Sequence, residues 1–312
     1  MKKLGIILGS IILGLVLLVL LFFISLKVIS TSALKKEQKE IVPYGQEVKV
    51  DGKSMRVQIL GQGDRTLVLL PGYLTGSPVI DFKPLTDELL KEFKVVVVEP
   101  FGYGLSEDTA KERTIENLTE ELHDALSQLG MTHYSLIGHS ISGVYSLDYI
   151  TKYPDEVESF IGIDSSLPSQ EGAGDNPTGT LRFLGKSGLY RQLVKASPEM
   201  LSLPPVEDKL AEQFTYISLK NMGNKATMAE GEEMTETFEK TKKLSYPKDL
   251  PVLYFLASES VEPDDKWLPI HEDMLKDSMY TDIKIYEGSH YLHHTKSEEM
   301  AKDISEFLKK TK

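Results

Sequence analysis

After an apolar N-terminal segment, the hydrophobic positions of this 312-residue chain recur with two alternating periods. Short continuous apolar runs, which are typical of strands buried on both faces, are separated by segments with helical spacing. An Asp51-Gly52 turn joins the first two runs as a hairpin. The predicted strands are 47–50, 55–60, 67–70, 95–99, 134–137, 160–163, 252–256 and 283–286. This alternation predicts a mostly parallel sheet with helices on both faces.

Three helices are predicted where apolar residues recur at helical spacing. The first, 115–129, is stopped by Gly130, and the second, 142–153, ends before Pro154. The third, 297–308, lies near the C-terminus.

The regular alternation lapses at 167–248, a segment several times longer than a connection between neighbouring strands requires. Leu210, Phe214 and Ile217 indicate at least one amphipathic helix within it, and 172–177 has the composition of a loop. We therefore expect an inserted helical cap at 167–248.

The N-terminus differs from the rest of the chain, because residues 4–26 contain no charged side chain. A helix of about 20 apolar residues crosses the hydrocarbon core of a bilayer. The sequence therefore predicts a transmembrane anchor at 1–29, a polar stalk at 30–44 and one main domain at 45–312. A cleaved signal peptide is the alternative, but its apolar region is normally only about 7 to 15 residues long.

The orientation of this anchor depends on the flanking lysines. Lys2 and Lys3 favour a cytoplasmic N-terminus, whereas the lysines beyond the apolar run, beginning with Lys27, oppose it. We expect a single-pass protein of the cell membrane whose main domain is extracellular.

Composition excludes several other classes of function. The net charge of -12 argues against a nucleic-acid partner, since phosphate contacts need clustered Lys and Arg. The chain has no cysteine, so disulfides, thiolate chemistry and cysteine-based zinc sites are excluded.

One short motif carries candidate chemistry. Gly138-His139-Ser140-Ile141-Ser142-Gly143 follows a predicted strand and opens a predicted helix. A nucleophilic serine at such a turn has a strained backbone and needs small neighbours, usually in the pattern G-x-S-x-G. Ser142 departs from that pattern but is small. The alternative is a serine that only caps a helix.

Four further segments occur in the order of one known family. They are Pro71-Gly72 after a strand, Glu99 followed by Gly102-Tyr103-Gly104, the late strand from Pro251, and Gly288-Ser289-His290 before the last helix. With the serine motif, they make residues 45–310 resemble the α/β-hydrolase family. The resemblance implies an α/β-hydrolase fold, with a mostly parallel central sheet, helices on both faces and a helical cap insertion.

The resemblance also assigns roles to individual residues. A serine hydroxyl is a weak nucleophile until a base removes its proton, and the family's position for that base falls on His290. The negative charge on the substrate oxygen would be stabilised by two backbone N–H groups, those of Ile141 and Tyr73.

The acid that orients the histidine is where this sequence departs from the family. The usual position after the late strand falls on Ser260, which cannot replace a carboxylate. Glu259 and Glu262 lie close to it in sequence. Asp164, at the end of the strand that follows the nucleophile's helix, is the other candidate. All three remain open at this stage.

These residues together predict a membrane-anchored serine hydrolase that cleaves a carboxylic ester through an acyl-enzyme on Ser140. Amide, peptide or thioester substrates would use the same site. Its partners would be a small-molecule acyl substrate and the membrane, with no metal, nucleotide or redox cofactor. Related dehalogenases and epoxide hydrolases use Asp where this chain has Ser140. A catalytically silent hydrolase-like domain that binds a ligand at the cell surface is the alternative.

Overall fold

A computed structural model of the chain describes residues 2–170 and 176–311. The loop predicted at 172–177 therefore lies mostly outside the described residues. The described strands are β1 (Gln46–Val50), β2 (Lys53–Leu60), β3 (Thr66–Leu70), β4 (Lys94–Glu99), β5 (Tyr134–His139), β6 (Val157–Ile163), β7 (Val252–Ala257) and β8 (Thr281–Tyr286).

These strands form one eight-stranded sheet in the order β1-β2-β4-β3-β5-β6-β7-β8. The hairpin partners β1 and β2 are antiparallel, and β2 also pairs antiparallel with β4. From β4 to β8 every neighbouring pair is parallel. The predicted fold class, a mostly parallel sheet, is confirmed.

Both faces of the sheet are buried, because alternate residues of each strand point in opposite directions. Leu67 and Leu69 of β3 belong to one apolar cluster, and Val68 and Leu70 belong to another. Continuous apolar strands are typical of parallel sheets covered on both faces.

The described residues form thirteen α-helices. They are α1 (Lys2–Glu37), α2 (Pro78–Asp81), α3 (Lys83–Leu89), α4 (Ile115–Gln128), α5 (Ser142–Lys152), α6 (Thr178–Ser187), α7 (Leu189–Ala196), α8 (Asp208–Asn221), α9 (Lys225–Thr241), α10 (Ser258–Val261), α11 (Trp267–Leu275), α12 (Leu292–Thr295) and α13 (Ser297–Lys310). Two 3₁₀ helices occupy Pro154–Glu156 and Pro198–Leu201. The short α2, which begins after the capping residue Ser77, was not predicted because a single turn has no readable periodicity.

Helices α6 to α9 lie between β6 and β7, and we call residues 178–241 the helical insertion. Asn224 Nδ2 donates to the Gly102 carbonyl at 2.7 Å, and Asn221 Nδ2 donates to the Gly104 carbonyl at 2.9 Å. Asp108 accepts from the first N–H groups of α9. These bonds attach the insertion to the glycine-rich loop after β4.

The N-terminal helix α1 is long and apolar enough to cross a membrane, and its apolar window is not buried by the protein. A signal sequence would share this length and composition. The helix continues through Glu37, so the segment predicted as a polar stalk begins as helix. Its C-terminal part contacts the helical insertion.

Candidate active site

Ser140 lies at a tight turn between β5 and α5. Its φ of 54° is unusual for a residue other than glycine, and such strain costs about 1 to 3 kcal/mol. A Cβ at Gly138 would lie 3.0 Å from the Ser142 carbonyl oxygen, and one at Gly143 would lie 2.5 Å from that of Ser166. The turn therefore needs glycine at both positions.

Ser142, the departure from the usual motif, is buried at the start of α5. Its hydroxyl donates a hydrogen bond to the Pro71 carbonyl oxygen. A glycine could not make this bond. The serine therefore joins the nucleophile turn to the Pro71-Gly72 loop.

The backbone of Ser140 is fixed by the loop after β6. Its N–H donates to the Ile163 carbonyl at 3.1 Å, and its carbonyl accepts from the Ser166 N–H at 2.8 Å. Asp164 lies in this loop and has a φ of 41°. The turn with the serine and the loop with the aspartate are therefore positioned together.

His290 follows β8 and is bonded to Asp164. The His290 Nδ1 to Asp164 Oδ2 distance is 2.6 Å, and the aspartate side chain is fully buried. Asp164 also accepts from Ser260 Oγ at 2.6 Å, from the Ala257 N–H at 3.1 Å and from Trp267 Nε1 at 3.1 Å. This carboxylate therefore has a full set of donors.

These donors decide the charge of Asp164. Burial raises the pKa of its carboxyl, but the hydrogen bond and charge of His290, followed by the bonds from Ser260 and Ala257, outweigh burial. The net result is a pKa below the ordinary value. Asp164 is therefore an ionised partner for an imidazolium.

The other two acid candidates lie differently. Glu259 and Glu262 are exposed in and after α10, and within the described residues neither bonds to His290. Ser260, at the position where the resemblance puts the acid, instead contacts Asp164. The carboxylate bonded to His290 therefore comes from the end of β6.

His290 packs against His139, the residue before Ser140. The His139 and His290 ring centroids are 4.6 Å apart, and His139 Nε2 lies 3.1 Å from the His290 carbonyl oxygen. Across residues 2–170 and 176–311, no hydrogen bond joins the Ser140 hydroxyl to the His290 ring. Bonds between catalytic groups are often long without substrate and shorten when it binds.

The two predicted oxyanion donors are unbonded. Over the described part of the chain, neither the Tyr73 N–H nor the Ile141 N–H donates to a protein acceptor. A Cβ at Gly72 would lie 3.2 Å from Ser140 Cβ, so glycine lets the Tyr73 loop approach the serine. Both N–H groups are therefore free to bind a substrate oxygen.

A second group of ionisable residues was missed by the sequence reasoning. Asp81 accepts from His293 Nε2 and from His294 Nε2, each at 2.9 Å, and all three residues are buried. The ligand-type atoms lie within 4.8 Å of one another, which is the arrangement of a possible metal site. The Nε2 atom of each histidine is, however, already bonded to the carboxylate. The only sequence signal was the pair of histidines just after His290.

Charge in this group is also settled by its contacts. Burial raises the pKa of Asp81, but the charge and hydrogen bonds of His293 and His294 lower it far below the ordinary value. Burial lowers the pKa of His293 and outweighs the opposite effect of Asp81. The group is therefore an ionised carboxylate that accepts hydrogen bonds from two imidazoles.

A buried glutamate of the helical insertion was also missed. Glu230 of α9 accepts from the hydroxyls of Tyr103 at 2.8 Å and Tyr145 at 2.9 Å. Burial raises its pKa. The contact joins the insertion to α5, directly after the nucleophile turn.

Comparison with known proteins is consistent with this geometry. A family model of the alpha/beta hydrolase fold matches residues 65–261. The uncharacterized protein YbdG of Bacillus subtilis is 29% identical over 292 residues, which cover 89% of this chain and 90% of that protein. The human serine hydrolase BPHL is 33% identical over 119 residues, 37% of this chain and 40% of that protein.

One solved structure is similar along the whole length of both chains. It is a membrane phospholipase A described as a bacterial virulence factor, with 18% identity and a TM-score of 0.58, covering 100% of this chain and 99% of that chain. At this identity the likeness concerns the fold alone. From the family match, this chain belongs to the α/β-hydrolase fold family and is a hydrolase.

Proposed function

We propose that the protein is a serine hydrolase that cleaves carboxylic esters through an acyl-enzyme on Ser140. His290 acts as the general base and Asp164 as the acid that orients it. The observation that carries this proposal is the 2.6 Å contact between His290 Nδ1 and the buried Asp164 carboxylate, beside a serine with a φ of 54°.

The first half of the reaction forms the acyl-enzyme. Ser140 Oγ attacks the ester carbonyl carbon while His290 Nε2 takes the hydroxyl proton. The carbonyl oxygen becomes negative and accepts from the N–H groups of Ile141 and Tyr73. His290 then gives its proton to the leaving alcohol as the carbon–oxygen bond breaks.

The second half releases the acid. Water attacks the acyl carbon, His290 takes a proton from it, and the bond to Ser140 Oγ breaks as the serine regains its proton. Throughout, Asp164 keeps the proton on Nδ1, so that Nε2 is the basic nitrogen, and stabilises the imidazolium.

We also propose that α1 persists as a single-pass anchor in the cell membrane, with the hydrolase domain outside. Its unburied apolar window supports this. Protease added to intact cells is expected to remove the hydrolase domain, whereas a domain that resists until the cells are lysed would refute this orientation.

A fluorophosphonate probe tests the nucleophile directly. We expect covalent label on Ser140, no label in Ser140→Ala and much weaker label in His290→Ala, with turnover of a soluble short-chain ester following the same order. Ser278→Ala is the matched control, because Ser278 precedes β8, at the opposite end of the parallel strands from the turn after β5, and should label normally.

Two results would count against the proposal. Full labelling and turnover in Ser140→Ala would exclude Ser140 as the nucleophile. A wild-type protein that binds ligands but neither labels nor turns over would favour the silent binding domain.

A further inference from the structure

We propose that the substrate of this site is an acyl ester resident in the bilayer, an amphiphile with a long apolar chain, and that it is taken from the membrane along the helical insertion. This inference rests on the proposed ester hydrolysis. It follows from how α1 is joined to the insertion and how the insertion reaches the active site.

The length of α1 fixes where the hydrocarbon core would end. An α-helix rises 1.5 Å per residue, so about 20 residues span a core of about 30 Å. Counted from Leu4, this length ends near Phe23, and the next charged residue is Lys27. Phe23 therefore lies close to the outer boundary of the hydrocarbon.

The helical insertion contacts α1 at this boundary. The rings of Phe183 in α6 and Phe23 are 5.5 Å apart with an interplanar angle of 66°. Phe183 remains 50% exposed beyond this contact, so part of its ring is available to enter the bilayer. Lys186, exposed one turn later, can extend its ammonium toward the headgroups. These two exposed side chains suit a position at the membrane boundary.

The insertion is fixed to α1 by a second set of contacts. Gly188 has a φ of 81°, and a Cβ there would lie 2.8 Å from the Leu26 carbonyl oxygen and from Ser30 Cβ, so the backbones approach closely. Arg191 is buried, and its guanidinium donates to both Glu37 carboxylate oxygens, at 2.5 and 2.7 Å. A two-pronged, buried ion pair allows little rotation.

The segment after α1 is attached to the same insertion. The Gln213 amide accepts from the Val42 N–H and donates to the Val42 carbonyl, both at 3.0 Å. Two independent attachments, at Arg191 and at Gln213, hold the insertion in one orientation relative to the anchor. The domain therefore does not swing freely on a flexible tether.

The same insertion also reaches the active site. Tyr190 of α7 and Leu201 of the 3₁₀ helix belong to one apolar cluster with Ile80. The Tyr73 hydroxyl donates to the Thr227 carbonyl oxygen of α9 at 2.8 Å, so the insertion also contacts the loop that holds a proposed oxyanion donor. One continuous set of contacts therefore links the membrane boundary to the active site. The insertion therefore lies between the membrane boundary and the active site, where an acyl chain that leaves the bilayer would contact it.

The test uses the full-length protein reconstituted in phosphatidylcholine vesicles that contain a trace of a fluorogenic long-chain glycerol ester. A soluble short-chain ester is assayed in the same vesicles. We expect Ser140-dependent hydrolysis of both. Phe183→Ser should lower the rate on the vesicle ester by about tenfold or more, as expected when an aromatic side chain no longer enters the bilayer, and leave the soluble ester rate unchanged.

Two further variants make the test specific. Tyr280→Ser removes an aromatic residue that is 46% exposed and precedes β8, away from α1, so both rates should stay at the wild-type level. Phe183→Leu keeps an apolar side chain and should retain most of the vesicle activity.

The outcomes separate the inference from the proposed function. Hydrolysis of the soluble ester without hydrolysis of the vesicle ester would overturn the inference alone. Equal losses in Phe183→Ser and Tyr280→Ser would do the same. No Ser140-dependent hydrolysis of either ester would refute the proposed function, and the inference with it.

Discussion

The loop after β8 contributes to two groups of imidazole and carboxylate that look alike but lie in different surroundings. In one, His290 donates to Asp164 at 2.6 Å. In the other, His293 and His294 donate to Asp81 at 2.9 Å. Each carboxylate is buried, and in each an opposing imidazole lowers its pKa against the effect of burial.

The difference between them is access. The His290 side chain is 39% exposed and adjoins the nucleophile turn, whereas those of His293 and His294 are 0% and 7% exposed. An exposed imidazole bonded only through Nδ1 has a second nitrogen for substrate chemistry. Two buried imidazoles that share one carboxylate instead tie α12 to α2. The same chemical pair therefore suits catalysis at one end of the loop and structural support at the other.

The variant with the largest expected effect disrupts the more exposed group, Asp164 and His290. Asp164→Asn should lower kcat by about 10³- to 10⁴-fold, because an amide favours the wrong imidazole tautomer and cannot stabilise its charge. Turnover of a soluble ester measures kcat, and circular dichroism checks that the fold is retained. Near-normal turnover in Asp164→Asn, with a large loss in Glu259→Gln or Glu262→Gln, would assign the acid to α10 or the residue after it instead.

The double variant Asp164→Asn with Ser260→Asp sharpens this test. Ser260 Oγ lies 2.6 Å from the same Asp164 oxygen that bonds to His290, so a carboxylate at 260 can reach the imidazole. We expect the double variant to be more active than Asp164→Asn alone. Ser260→Asp in the presence of Asp164 should instead reduce activity, since two buried carboxylates would repel.

The fold and the serine turn can be predicted from the sequence, but the choice of acid cannot. The strands and the serine turn are local patterns, and each predicted strand is present. The partner of His290 depends on which of two strand ends comes closest, and β6 and β7 are neighbours whose carboxyl ends lie side by side. Local pattern cannot rank Asp164 against Glu259 and Glu262, so the choice was left open.

The buried group at Asp81 was missed for a related reason. Asp81 and His293 are 212 positions apart and meet only because α2 and α12 both pack near α3. An aspartate in a one-turn helix carries no signal of its own. The attachment of Arg191 to Glu37 is similar, since two charged residues on different amphipathic helices resemble ordinary surface residues until the helices pack.

The next prediction concerns the buried group of Asp81, His293 and His294. Asp81→Asn should cost about 1 to 3 kcal/mol of unfolding free energy, because the amide can accept from one imidazole while its NH2 faces the other. Urea unfolding measures this cost. The kcat of the soluble ester should fall less than tenfold, since the Asp164–His290 contact is not removed.

A matched control for this variant is Asp87→Asn. Asp87 is 53% exposed and pairs with Lys83 on the surface of α3, so its loss should change stability by no more than about 0.5 kcal/mol. If Asp81→Asn were as mild as Asp87→Asn, or if it abolished turnover without changing stability, the structural role assigned to Asp81 would be wrong.

The smallest expected effect is a change in how the unfolding free energy depends on pH. It also depends on buried imidazoles. Burial lowers the pKa of His293 and lowers that of His139 well below the ordinary value of 6.5. Below pH 6.5 the unfolded chain binds protons that the folded chain does not, so the unfolding free energy should fall as pH falls. Each group contributes at most about 1.4 kcal/mol per pH unit.

Urea unfolding between pH 7.5 and pH 5.5 measures this slope. His139→Gln removes one buried imidazole, so its slope should be shallower than that of the wild-type protein by up to one proton. His133→Gln is the control, because His133 is exposed to water and its loss should leave the slope unchanged. An unaltered slope in His139→Gln would mean that this ring, although buried beside His290, takes up a proton in the folded protein. The difference in exposure between His290 and the buried histidines would then not account for their different roles.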